Sequence, residues 1–221
     1  MSERQGLYRI LKSTTIYEGV QRFMGAHRAR KRFVVFSGVK PGDLVVDIGC
    51  GPGHLLPHLP NVDYHGFEPN PGYVADARRD FGHAGTFHTG LFGEDEAKQF
   101  KDVDLVIISA VLHHLSDDQV DDLYRLLSGI LKSSGRIASV DPVFHEGQNP
   151  VARQLARMDR GKHVRTADQY KALVSRHFQE IEGKIITQRF ALPYSTLYMV
   201  RNSLLRQTLI WHLRETPGYY R

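Results

Sequence analysis

The 221-residue chain contains a single cysteine, Cys50, and a single tryptophan, Trp211. One thiol cannot close an intrachain disulfide, so nothing in the sequence asks for an oxidising compartment. Long hydrophobic runs are missing too. The longest uncharged apolar stretch, Leu105 to Leu112, falls far short of the ~20 residues that span a bilayer. The opening Met1-Ser2-Glu3-Arg4-Gln5 lacks the basic-then-apolar layout of a signal peptide. No internal repeat or low-complexity tract is present. These absences set the expectation of a soluble, cytoplasmic protein. What is present is ordinary for a globular chain: 41% hydrophobic and 24% charged residues, which excludes a disordered or fibrous polypeptide. The length suits one generous domain, since chains split into separate cores beyond roughly 250 residues.

Charge is unevenly spread. Against a total of +5, residues 41–141 carry a net −9 and the flanking segments together +14. Such asymmetry points to an anionic partner.

Periodicity alternates along the chain. Helical spacing of Ile16, Val20, Phe23 and Met24 predicts a helix from Thr14/Thr15 to about Ser37. Leu44–Ile48, Val62–Phe67, Thr86–His88, Val103–Ser109 and Arg136–Val140 read as five strands. Helices are expected between them at about 53–59, at 71–81 after Pro71, and after the capping box Ser116-Asp117-Asp118-Gln119, ending at Gly135. Continuous apolar strands alternating with helices predict an α/β fold with a doubly wound, mostly parallel sheet covered on both faces. After residue 141, Asn149-Pro150 and the box Thr166-Ala167-Asp168-Gln169 start two helices. Ile181–Thr187 and Thr196–Val200 form a closing strand pair, and Ser203–Leu213 an amphipathic helix.

In such a sheet, ligands bind at the carboxyl ends of the strands, at the switch point beside the first strand. That point holds Asp47-Ile48-Gly49-Cys50-Gly51-Pro52-Gly53. Gly49, Gly51 and Gly53 let backbone turn sharply and approach a ligand closely. Glu68, at the end of the second strand, can accept both hydroxyls of a ribose, and Asp47 is expected to accept from loop N–H groups. A dinucleotide fingerprint would need its third glycine at position 54, which is His54, and a phosphate-cradling Gly-Lys-Ser/Thr is absent.

The run Val45–Gly53 resembles the first motif of class I S-adenosylmethionine-dependent methyltransferases. Glu68 resembles that family's ribose-binding acid, Asp104–Leu115 its fourth-strand motif, and Leu131–Arg136 its turn into the fifth strand. The resemblance implies a Rossmann-like seven-stranded sheet with an antiparallel last strand, and the inserted segment after the fifth strand is expected to form a helical substrate cap. It also implies S-adenosyl-L-methionine as cofactor and a contact from Ser109. Where many relatives carry an adenine-binding Asp, this chain has Gly90-Leu91-Phe92, so packing on Leu91 or Phe92 is expected instead. The chain then divides into an N-terminal helical cap (1–40), a cofactor-binding core (41–141), a cap insertion (142–178), the strand pair (179–201) and a helical extension (202–221), within one methyltransferase domain.

Methyl transfer from a sulfonium is an in-line displacement that needs alignment and, for many acceptors, a base. Base candidates are Asp141, His145 and His114, with His113 and His163 nearby. Tyr17, Arg153, Asp159, Arg160 and Arg165 are the candidate acceptor contacts, the arginines suiting an anionic small molecule. No metal is called for. The alternatives are a nucleic-acid methyltransferase and a non-catalytic cofactor-binding protein. Base-amine enzymes place an Asn/Asp-Pro-Pro-Tyr/Phe motif after the fourth strand, where this chain has Ser109-Ala110-Val111-Leu112. The apolar stripe of residues 203–213 could serve a dimer face or a peripheral membrane contact.

Overall fold

The computed structural model describes residues 26–159, 161–188 and 193–201. In chain order the elements are α1 (Ala26–Ser37), β1 (Leu44–Ile48), β2 (Asp63–Glu68), α2 (Pro71–Phe81), β3 (Thr86–Thr89), α3 (Glu94–Ala97), β4 (Val103–Ser109) and α4 (Asp117–Ile130). There follow β5 (Leu131–Phe144), α5 (Pro150–Arg157), β6 (Arg165–Thr166), α6 (Ala167–Val174), β7 (Ile181–Gln188) and β8 (Tyr194–Arg201). Seven strands run in the order β3-β2-β1-β4-β5-β8-β7, and the two-residue β6 pairs β5 off this path. Strands β1 to β5 are mutually parallel, and β8 is antiparallel to both β5 and β7.

Strand side chains alternate between two cores. Val46, Ile48, Val106 and Ile108 face a cluster containing Val120, Leu123, Tyr124, Leu127 and Ile130 of α4 and Tyr170, Leu173 and Val174 of α6. Val45, Leu105 and Ile107 face the opposite cluster, with Phe33 of α1 and Val74 and Ala77 of α2. Burial on both faces explains why these strands are continuously apolar. The parallel strands therefore bring the ends of β1, β2, β4 and β5 to one edge of the sheet.

Both capping boxes form: Ser116 accepts from Gln119 N–H and Thr166 from Gln169 N–H, each with the glutamine reaching back. Three expected boundaries shift. The segment after the glycine loop makes only a 3-10 turn, Leu56–His58, because Pro57 supplies no N–H to extend it. Helix α4 stops at Ile130 rather than Gly135, with Leu131 already extended. Strand β5 thus runs for 14 residues, Leu131–Phe144, with a register shift against β4 between Val103 and Leu105. The N-terminal part of the first expected helix and the 203–213 helix lie outside the described residues.

Candidate functional site

The glycine loop leaves β1 under tight control. Gly49 and Cys50 N–H both donate to the Phe67 carbonyl, at 2.8 and 3.1 Å, so the turn is pinned to the end of β2. Gly49 has φ +70°, and a Cβ there would lie 2.5 Å from Val111 Cγ2, which leaves no room for a side chain. Gly51 (φ +56°) has nothing within 4 Å of where a Cβ would project. The loop therefore presents bare main chain to open space.

Glu68 closes this cradle. Its Oε2 accepts from Gly51 N–H at 3.1 Å and its Oε1 from Asn70 N–H at 2.8 Å. The two bonds fix the carboxylate and leave acceptor capacity on both oxygens. Asn70 in turn caps α2 by accepting from Gly72 and Tyr73 N–H. Gly90 N–H donates to the Glu68 carbonyl at 3.0 Å, tying the end of β3 to the same point.

Asp47 is held differently from expectation. It accepts from the Tyr64 hydroxyl at 2.7 Å rather than from loop N–H groups. Register pairs Asp47 with Gly66, two residues beyond Tyr64 on the same face. Because Gly66 carries no side chain, the Tyr64 ring can reach across; a Cβ at Gly66 would lie 3.0 Å from that ring and 2.7 Å from Cys50 Sγ. Asp47 is fully buried, and burial drives its pKa up to about 7, against the Tyr64 bond and with help from the nearby Glu68 charge. Among the described residues its Oδ1 has no hydrogen-bond partner.

At the end of β3 the two apolar candidates separate. Leu91 is 75% exposed, whereas Phe92 is buried and packs edge-on to Phe67 at 5.0 Å. Phe92 is thus a core residue, and Leu91 alone stands at the rim, lining with Gly90 and Thr89 a cleft of about 310 Å³. At the end of β4, Ser109 is half-buried and exposed Ala110 adopts φ +58°, its N–H bonded to the Val140 carbonyl at 2.8 Å. A non-glycine residue in that region is strained by roughly 1 kcal/mol, and such strain gathers at functional sites.

The ends of β4 and β5 carry a second construction. Asp141 and His113 are both almost fully buried, and Asp141 Oδ1 accepts from the His113 ring at Nδ1 (2.7 Å) and from its backbone N–H (3.1 Å). On the other side of the ring, Nε2 lies 3.1 Å from Asp159 Oδ1. Asp159 also accepts from Gly161 N–H at 2.8 Å and from the Tyr194 hydroxyl at 3.1 Å. Burial opposes charge on His113, but the two carboxylates outweigh it and raise its pKa to about 9. Asp159 is held at about 2 in spite of its own burial, chiefly by His113 and the Gly161 N–H. Burial pushes Asp141 upward against the His113 bond.

The loop after α5 wraps this ring. His163 N–H donates to the His113 carbonyl at 2.9 Å, and a Cβ on Gly161 would meet His113 Cδ2 at 2.0 Å. Asp141 is therefore not a base open to an acceptor; it orients His113. His114 is exposed, its ring 4.1 Å from that of His113. His145 is drawn elsewhere, to the Glu146 carbonyl (2.8 Å) and Ser195 Oγ (3.1 Å).

Among the acceptor candidates, Arg165 is corrected most sharply. It is buried, bonded to Asp117 and to the carbonyls of Leu112, Leu115 and His163, and lies over the Tyr170 ring. Every face of its guanidinium is used by the fold. Arg153 is exposed with its guanidinium 5.6 Å from the Phe144 ring. Arg160 and Tyr17 lie outside the described residues. Sequence reasoning missed Tyr64, Gly161 and Tyr194, and it left His113 and His114 undistinguished, of which His113 makes the Asp141 contact. Only Tyr64 left a signal: it sits two residues before a glycine on the strand beside Asp47.

The donor set fits an adenosyl amino-acid cofactor: an open backbone cradle at Gly51, a fixed carboxylate with spare acceptor capacity at Glu68, and a buried Asp47 oxygen without a partner among the described residues. A 3-2-1-4-5-8-7 sheet with a glycine loop at the end of β1 is a Rossmann-like fold. Comparison with known proteins agrees. Residues 46–137 match the family model described as a methyltransferase domain. An aklanonic acid methyltransferase, DauC, of Streptomyces sp. (strain C5) is 35% identical over 128 residues, covering 54% of this chain and 57% of the relative. An uncharacterized methyltransferase of Bacillus pumilus (strain SAFR-032) is 32% identical over 125 residues, covering 56% of each. The crystal structure of human N-acetylserotonin methyltransferase in complex with SAM superposes with a TM-score of 0.64 at 21% identity, over 87% of this chain and 57% of that one. Residues 46–137 are thus similar to a methyltransferase domain, and the chain shares its fold with a solved methyltransferase. It spans about half the length of the curated relatives it matches.

Proposed function

We propose that this chain binds S-adenosyl-L-methionine at the ends of β1 and β2 and transfers its methyl group to a small, acidic acceptor over the ends of β4 and β5. The observation that carries the reading is Glu68, held by Gly51 and Asn70 N–H beside open main chain. A carboxylate so fixed is suited to accept from both hydroxyls of a ribose, each charge-assisted bond contributing ~1.5–3 kcal/mol. Gly51 would admit the amino-acid moiety against the backbone, Gly49 and Gly53 instead clearing Val111 and the Phe81 and Phe87 rings; Asp47 would take its ammonium side, Ser109 would border it, and Leu91 would cover the base. When bound, the cofactor supplies an electrophilic methyl group on a sulfonium.

The closure of the buried triad supports an acidic acceptor. Each ring nitrogen of His113 is held against a carboxylate, so the ring offers no free position to take a proton from an acceptor. An acceptor already ionised near neutral pH, such as a carboxylic acid or an acidic phenol, needs no base from the protein. A relative named an aklanonic acid methyltransferase is in keeping with this. Exposed Arg153, Arg157 and Lys162 around the cap would add a favourable field.

The test is release of S-adenosyl-L-homocysteine from a panel of carboxylic acids, phenols and amines. Turnover with members of the acidic set is expected. Turnover with amines alone contradicts the acceptor class, and cofactor binding without turnover on any acceptor favours the non-catalytic reading.

A further inference from the structure

We infer that His113, His114 and Asp159 form a binding site for one divalent first-row transition metal ion, of the zinc or cobalt kind. The inference rests on side-chain geometry and does not require methyl transfer. One ligand atom from each of the three residues can be chosen so that all lie within 4.8 Å of one another. His113 Nε2 and Asp159 Oδ1, 3.1 Å apart, are already close to the ~3.3 Å that separates two ligands on a tetrahedral ion with bonds near 2.0–2.1 Å. His114 sits beside them, its ring centroid 4.1 Å from that of His113.

Asp141 is a second and independent observation. It accepts from the far nitrogen of His113, Nδ1, at 2.7 Å. That is the carboxylate–histidine arrangement which fixes a metal-ligating imidazole and directs Nε2 at the ion. A further bond from the His113 backbone N–H to the same oxygen prevents the ring and carboxylate from separating. Asp159 is braced in the same way, by Gly161 N–H and the Tyr194 hydroxyl. His113 and Asp159 are thus held in place without an ion.

Two imidazoles and one carboxylate select a borderline ion such as zinc or cobalt over magnesium, which prefers oxygen ligands. Three protein ligands also leave one position open, as in metal sites that take water or a substrate oxygen. Binding replaces the hydrogen shared between His113 and Asp159 with the metal. Because His113 and His114 belong to the turn after β4 and Asp159 follows α5, the ion would tie the cap to the sheet.

The experiment loads the metal-stripped chain with zinc or cobalt, removes excess by desalting, and measures bound metal per chain and the melting temperature. His114→Ala and Asp159→Asn are compared with the wild-type chain, and S-adenosyl-L-homocysteine titration checks that the cradle of each variant is intact. The expected result is one equivalent bound with a raised melting temperature, and at least tenfold weaker binding in both variants. No retained metal in the wild-type chain overturns the inference. Equal retention by all three proteins overturns it as well, since the ion then sits on other histidines. Loss of homocysteine-nucleoside binding by the wild-type chain would count against the proposed function and leave the metal result standing.

Discussion

The ends of β1 and β2 and the ends of β4 and β5 share one edge of one sheet, yet they are made specific by different means. The first pair builds its site from main chain: Gly49, Gly51 and the N–H groups that hold Glu68, all within about 22 residues of sequence. The second pair builds from side chains that meet across long stretches of chain, His113 with Asp141 and then Asp159. A backbone cradle is written as a short motif, because glycine spacing and one acid encode it. A side-chain triad depends on where a loop lands, and that is set by packing rather than by local sequence.

The first way to break this comparison is Arg165→Glu. Sequence counting put this residue in the acceptor site, whereas it is buried and bonded to Asp117 and three carbonyls. Reversing its charge should destabilise the fold by about 3–5 kcal/mol, read as a collapse in melting temperature. A soluble, normally stable variant with only a raised acceptor KM would restore the original assignment.

Next comes Asp47→Asn in the cradle. The folded pKa of Asp47, about 7, lies above its unfolded value of 3.8. The folded state therefore holds the extra proton between those values, and stability falls as pH rises from about 4 to 7. The fall amounts to something on the order of 2–4 kcal/mol. Asparagine cannot ionise, so the variant should lose that part of the slope in urea titrations at successive pH values. An unchanged slope would mean that Asp47 is not the buried acid responsible.

A smaller effect sharpens the contrast from the other side. Gly161→Ala places a methyl group against the His113 ring, an overpacking that should cost ~1–3 kcal/mol. Affinity for S-adenosyl-L-homocysteine should stay within about twofold, because the cradle at β1 and β2 is built separately. A large loss of affinity would show that the two halves are coupled.

Sequence reading was strongest where local pattern decides structure. Both capping boxes, the buried face of α4 and the parallel strands β1 to β4 were legible, because apolar period and cap chemistry act within a few residues. The closing antiparallel pair was legible from its apolar runs around Pro193, and its direction from the family resemblance. Reading failed where a distant contact overrides pattern. Gly135 resembles a helix stop, yet the segment from Leu131 is pulled into β5 alongside β4. Phe92 resembles a ring available to a ligand, yet it completes the core against Phe67. In the histidine pair, nothing local tells His113 from His114; the choice is made by Asp141, 28 residues on.

Calorimetric titration of S-adenosyl-L-homocysteine into the wild-type chain and into Glu68→Ala tests the adenosyl-binding assignment most directly. Saturable one-to-one binding by the wild type is expected, with a loss of about 100-fold or more in the variant, equivalent to two charge-assisted hydrogen bonds. Absence of binding by the wild-type chain, or equal affinity in the two proteins, would contradict it.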